Sequence, residues 1–265
     1  MILYNTPVDE LDVFDESMRI AQVEYPELDV ARVRATLDDF GREGRAAVTS
    51  RGRKGVEQFN AYFFDALGFH GNAEDYYDPR NSYLNDVIDR RTGIPITLAA
   101  VYCEVGRRSG LDAHGVGFPG HFLAKCLVGG SEVLVDCFNA RTVSRDDCQE
   151  LLNSFSPGAP TVSEDMLEIA APRDILSRML NNLRRIHAGR GDFARAVRWI
   201  EMDIALRPES PHNYRERGML YIQMEEFGKA VADLERYMAA MPGSPDLPQV
   251  REQIQLIRKL LSHLN

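Results

Sequence analysis

The 265-residue sequence predicts an α+β domain with a helical N-terminal region and a small antiparallel sheet, followed by an all-α module of helical repeats. Three observations carry that prediction. Apolar residues recur at helical intervals through residues 9–70. Two strand-like runs meet at Gly129-Gly130, a two-residue hairpin signal. Beyond residue 172 the sequence repeats itself at an offset of 34 positions.

The helical region reads as Leu11, Phe14, Met18 and Ala21, then Val33, Leu37 and Phe40, then Phe59, Tyr62, Phe63 and Leu67 ahead of Gly68. Residues 72–80 are polar and aromatic with Pro79, hence a loop, and residues 81–91 give a short helix ending by Gly93. Pro95 suits the first position of a helix, because its fixed φ and missing N–H are no loss there. Leu98, Val101, Tyr102 and Val105 form that helix's apolar stripe. Arg107 and Arg108 complement the dipole of its last turn, and Gly110 ends it.

Strands are then expected at 113–118, 121–128 and 131–138. A two-residue turn pairs Val128 with Ser131, Cys126 with Val133, Ala124 with Val135 and Phe122 with Cys137, which makes one face apolar. His121 and Asp136 fall on the other face as diagonal neighbours. Their Cα atoms are then about 7–8 Å apart, within reach of an imidazole–carboxylate bond.

Residues 153–172, rich in Ser, Pro and Gly at their start, read as a linker between a first domain at 1–152 and a module at 173–265. In the module, Asp192-Phe193-Ala194-Arg195-Ala196 and Glu226-Phe227-Gly228-Lys229-Ala230 lie 34 apart, as do Ala205 and Ala239, and Pro208 and Pro242. Helices are expected at 173–188, 192–206, 212–223 and 226–240, with 246–262 as a cap. The period and the closing prolines resemble the tetratricopeptide repeat. Arg178, Arg184, Arg185, Arg190, Arg195 and Arg198 crowd the first repeat and read either as a solvated helical face or as a face part of which docks on the acidic first domain.

Charge and cysteine narrow the function classes. The net charge of −9 divides into 16 basic and 28 acidic residues over 1–172, and 15 and 12 over 173–265. An acidic total disfavours nucleic acid as a partner. The longest apolar stretch, Ile94 to Cys103, is shorter than the ~20 residues that span a bilayer, and Met1-Ile-Leu-Tyr lacks a secretory signal's pattern. Neither a membrane association nor a cofactor is expected. Cys103, Cys126, Cys137 and Cys148 form no CxxC pair and no zinc spacing, so they read as reduced thiols of a cytoplasmic protein, and no metal site is expected. Gly115-Val-Gly-Phe-Pro-Gly120 fits GxGxxG, but it leads into a strand and contains Pro119, which a dinucleotide site excludes.

A helix followed by a hairpin that aligns a His with an Asp is the skeleton of papain-like chemistry, in which a thiol at the helix start is activated by the imidazole. The phrases Arg91-Thr-Gly93-Ile-Pro95-Ile-Thr-Leu-Ala, Gly115-Val-Gly-Phe-Pro-Gly-His121-Phe-Leu and Val135-Asp136, with Asn81-Ser-Tyr-Leu and Gly68-Phe-His-Gly-Asn72, resemble the transglutaminase-like domain of the bacterial SirB-type family. The order of that domain followed by tetratricopeptide repeats belongs to the same resemblance. It implies His121 and Asp136 as a retained catalytic pair. It also places a Gly-x-Cys nucleophile where this chain has Gly93-Ile94-Pro95, so Pro95 marks a lost thiol. Cys103 lies roughly 12 Å along the helix from Pro95 at ~1.5 Å per residue, and Cys126 and Cys137 fall on the apolar face. The expectation is a non-catalytic adaptor, a pseudoenzyme that binds a protein or peptide partner through its repeats. The alternative is a hydrolase or acyl transferase using His121 and Asp136 with activated water or Thr97 as nucleophile.

Overall fold

The computed structural model describes residues 11–264. Residues 9 and 10 of the expected helical region, and the Met1–Tyr4 start, lie outside the described residues. The chain divides into two compact units, one from Pro7 to Met179 and one that contains Leu180 onwards.

The first unit opens with α1 (Val13–Glu24), α2 (Val30–Ala47) and α3 (Gly52–Asn60), which runs into a π-helical turn at Ala61–Ala66. Asp12 and Asp29 cap α1 and α2 by accepting the amides of Asp15 and Arg32. A two-residue strand β1 (His70–Gly71) pairs in parallel with β2 (Thr92–Gly93), on either side of α4 (Leu84–Arg90). Next come α5 (Pro95–Ser109), β3 (Asp112–Val116), β4 (Leu123–Val128), β5 (Ser131–Asp136), β6 (Arg141–Val143) and α6 (Arg145–Phe155). The central helix α5 begins at Pro95 and stops at Gly110, whose φ of 94° is left-handed backbone that a residue with a Cβ resists.

Strands β3-β4-β5-β6 form one antiparallel sheet in that order. Gly129 and Gly130 both adopt positive φ, 57° and 81°, as a right-twisted two-residue hairpin requires. The register pairs Val128 with Ser131, Cys126 with Val133 and Ala124 with Val135, the pairing expected from the sequence. Ala124, Cys126, Val133, Val135 and Cys137 consequently enter the main core with Leu98, Val101 and Tyr102 of α5. The opposite face is not left to solvent. Leu123 and Leu134 there meet Cys148 and Leu152 of α6, together with Val162 and Leu167, in a second core.

That second core involves the stretch read as a linker. Val162 and Leu167 are buried, the Ala170 amide donates to Gly115 O at 2.8 Å, and Ile169 forms a bridge with Val116. The Ser-, Pro- and Gly-bearing residues at its start are mostly exposed, and it is the later Val162 and Leu167 that pack in this second core. The β6 and α6 segment was not anticipated. Ser144 caps α6 in a reciprocal box with Asp147, a local signal that the sequence does contain.

The second unit holds the rest of α7 (Pro172–Gly189), α8 (Phe193–Leu206), α9 (Pro211–Gln223), α10 (Phe227–Ala240) and α11 (Leu247–Leu264). These bounds lie within two residues of those expected. Ala196 and Ala230, one repeat apart, are both fully buried. Val197, Ile200, Leu220 and Tyr221 make one core with Ile257, and Leu234 and Tyr237 make a second with Leu247, Val250 and Ile254. The final helix thus covers the apolar face that a short repeat array leaves open. Arg217 locks α9 to α10 through a two-pronged pair with Asp233, 2.7 and 2.8 Å.

Candidate functional site

His121 sits in the turn that feeds β4, and Asp136 ends β5. The hairpin register brings the two side chains together: His121 Nε2–H donates to Asp136 Oδ1 at 2.9 Å. The carboxylate accepts three further donors. The amides of Phe138 and Asn139 reach Oδ1 at 3.1 and 3.2 Å, and Asn139 Nδ2 reaches Oδ2 at 2.7 Å. Burial pushes the Asp136 carboxyl up, but the donors from His121 and Asn139 outweigh it and hold the group below the usual carboxylate range. Asn139 was missed from the sequence. An Asp followed two and three residues later by a turn that binds its side chain is the signal that identifies it.

The pair is enclosed. His121 is 7% exposed and Asp136 0%. Phe155 lies over the imidazole face with ring centroids 6.3 Å apart, and Phe138 meets the ring edge-on at 6.5 Å. Arg178, from the basic cluster of the first repeat, is half-buried, and its Nη2 donates to the carbonyls of Phe118 and His121 at 3.1 and 2.8 Å. It fixes the backbone that carries the imidazole.

At the start of α5 the geometry offers no nucleophile. Pro95 is buried at the first helical position. Thr97 is 0% exposed, accepts the Ile94 amide at 3.2 Å and donates its hydroxyl hydrogen to Asn81 O at 2.7 Å. That hydroxyl is a structural clasp and unavailable for attack. The helix start connects to the His–Asp pair through β1 and β2. Gly71 pairs with Gly93, and a Cβ on Gly71 would fall 2.6 Å from the ring of Phe138. The loop after β1 is tied by Asn72 to Asn81 (3.2 Å) and by Asn81 to Asp75 O (2.7 Å), and it holds Tyr76 against Phe138.

The four cysteines are free and buried. Burial pushes each thiol up, Cys126 and Cys148 to about 11 and Cys103 and Cys137 higher, so none supplies thiolate near neutral pH. Cys148, which the sequence could not place, lies in the second core. Among the described residues no group of three His, Cys, Asp or Glu side chains could hold a metal ion, and no helix is long and apolar enough to cross a membrane.

The sequence that builds this geometry matches two known families. Residues 31–181 match the transglutaminase-like superfamily, to which the chain belongs, and residues 183–255 match the tetratricopeptide repeat. More narrowly, the chain belongs with the UPF0162 proteins. The one from Xylella fastidiosa strain Temecula1 is 34% identical over 249 residues, which is 92% of this chain and 89% of that protein. A UPF0162 protein of Vibrio cholerae is 25% identical over 252 residues, covering 94% and 93%. F-box only protein 21 of Pongo abelii is 24% identical over 201 residues, 71% of this chain but 31% of that longer protein. No solved structure matches the chain.

Proposed function

We propose that this SirB-type chain is a non-catalytic transglutaminase-like adaptor that binds a protein or peptide partner through its tetratricopeptide repeats. The observation that carries the reading is the start of α5, where buried Pro95 occupies the nucleophile position and the neighbouring hydroxyl of Thr97 is committed to Asn81. Four buried, unpaired thiols fit a reducing cytoplasmic compartment and add no replacement nucleophile. In such a protein the His121–Asp136 pair orients strands and closes the former cleft.

Paired helices of this kind build a ridged surface suited to peptides. Arg184 of α7 pairs with Glu216 of α9 at 2.6 Å, both partly exposed, so this pair marks where neighbouring helices present a joint face. Crosslinking in native lysate followed by mass spectrometry tests the reading. A partner crosslinked to the repeats is expected to disappear in the Arg184→Ala, Glu216→Ala double variant. If every crosslinked protein is retained by that variant and by charge reversals elsewhere on α7, α9 and α11, the adaptor reading is wrong.

The 2.9 Å His121–Asp136 bond favours one second reading, a hydrolase or acyl transferase in which the imidazole activates water. A screen of amide and thioester substrates separates the two, because only this second reading predicts turnover that His121→Ala abolishes.

A further inference from the structure

Around the His121–Asp136 pair the first unit exposes a rim of large apolar side chains. Tyr76 is 40% exposed, Tyr77 63% and Phe155 53%. Large apolar groups exposed in a cluster mark a place where something binds. The rim is continuous in contacts: Phe155 stacks on His121, Phe138 meets His121 edge-on, and Tyr76 meets Phe138 at 6.0 Å and Tyr77 at 5.3 Å.

A guanidinium sits in this surface. Both bonds of Arg178 to the Phe118 and His121 carbonyls come from Nη2, and its Cζ lies 5.5 Å from the Phe122 ring centroid. Nη1 faces Gly117, where a Cβ would stand 3.4 Å away. Neither Nη1 nor Nε meets an acceptor, and Arg178 pairs with no carboxylate among the described residues. Partial desolvation lowers its pKa, as expected of a cation that lacks its anion. The two carbonyls hold the guanidinium in place and engage Nη2, so a carboxylate approaching over Gly117 meets Nη1–H of a fixed cation in a single charge-assisted hydrogen bond.

We propose that Arg178 and this rim form a receptor for the C-terminal carboxylate of a partner polypeptide ending in an aromatic or large aliphatic residue. At a chain end the carboxylate and the last side chain diverge from one Cα, so the charge reaches Arg178 while the side chain lies on Phe155 and Tyr76. An Asp or Glu carboxylate stands on its own stem and would bring a polar main chain onto the apolar rim. This receptor lies on the first unit and does not depend on the repeats, so variants at Arg184 and Glu216 leave it intact.

The test is NMR titration of the full chain with N-acetyl-Phe-Leu-Phe as free acid, with its C-terminal amide, and with N-acetyl-Asp-Leu-Phe amide. The free acid is expected to shift signals of His121 and Phe155 saturably, and both amides to bind at least ~30-fold more weakly, the loss that follows when one partner of a charge-assisted contact is removed. Arg178→Gln is expected to weaken the acid to the level of its amide. Gly117→Leu, whose side chain covers Nη1, does the same, whereas Gly117→Ala retains binding. Equal affinity of acid and amide overturns the proposal, as does the absence of any saturable shift. Binding of the Asp-containing amide as strongly as the free acid overturns the chain-end assignment. Should Arg178→Gln fail to fold, the comparison of acid with amide on the unaltered protein still decides.

Discussion

Replacing Asp136 with alanine takes away the acceptor of four donors: His121 Nε2–H, the amides of Phe138 and Asn139, and Asn139 Nδ2–H. Asn139 is exposed and Phe138 half-buried, so water can reach those donors, whereas the imidazole is buried. Assigning ~1 kcal/mol to each backbone amide and ~1–3 to the stranded imidazole gives a loss of about 3–5 kcal/mol. For a unit of this size that lowers Tm by about 10 °C. Asp136→Asn keeps an acceptor oxygen but loses the charge, and its deficit against the wild type depends on pH. The native carboxyl titrates below its unfolded value, so its contribution is complete above about pH 4 and is lost as pH falls through the native pKa. The gap between wild type and Asp136→Asn should therefore narrow in acid.

The readout must follow the first unit. Trp199, the one Trp of the sequence, is in the repeat module, so its fluorescence reports the other unit. Hydrogen exchange of the β5 amides, Val133 to Asp136, in mild denaturant is the suitable assay. An Asp136→Ala variant within about 1 kcal/mol of wild type would show that the carboxylate does not hold these donors, since that is below the loss of even a single buried hydrogen bond's partner. A gap to Asp136→Asn that persists unchanged in acid refutes the electrostatic part.

Three further outcomes follow from named contacts. Thr97→Val removes the clasp between Ile94 and Asn81 and should destabilise the first unit by ~1–3 kcal/mol, measured by the same exchange. Gly71→Ala places a methyl 2.6 Å from both the ring and the carbonyl of Phe138; it should cost about 1–3 kcal/mol and raise the exposure of the Phe155–His121 stack, seen in ring-current shifts. Native protein at mildly alkaline pH should react with no thiol reagent at Cys103, Cys126, Cys137 or Cys148, and all four should react once denatured, because burial raises every one of these thiols.

What the sequence makes legible here is whatever repeats or alternates. The hairpin register follows from Gly129-Gly130 and a clean apolar face, and from it follows the approach of His121 to Asp136. The repeat helices follow from the 34-residue offset, because each residue type recurs where the same packing recurs. Contacts made by backbone carbonyls have no such period. Arg178 belongs by its spacing to a helical face, yet what decides its role is two carbonyls some sixty positions earlier. Thr97 reads as a free hydroxyl until Asn81 O is seen to take its hydrogen. Residues 153–172 read as a linker because composition reports local backbone freedom, and Val162 and Leu167 show their packing only when β3, β4 and β5 are in place.

The proposed non-catalytic reading requires that no nucleophile stands beside His121. It is tested most directly by measuring turnover of a broad set of peptide amides, glutamine amides and acyl thioesters by the wild-type chain and by His121→Ala in parallel. The same background is expected for both proteins with every substrate. Turnover by the wild type that His121→Ala removes, while its β5 amides stay protected, would contradict it.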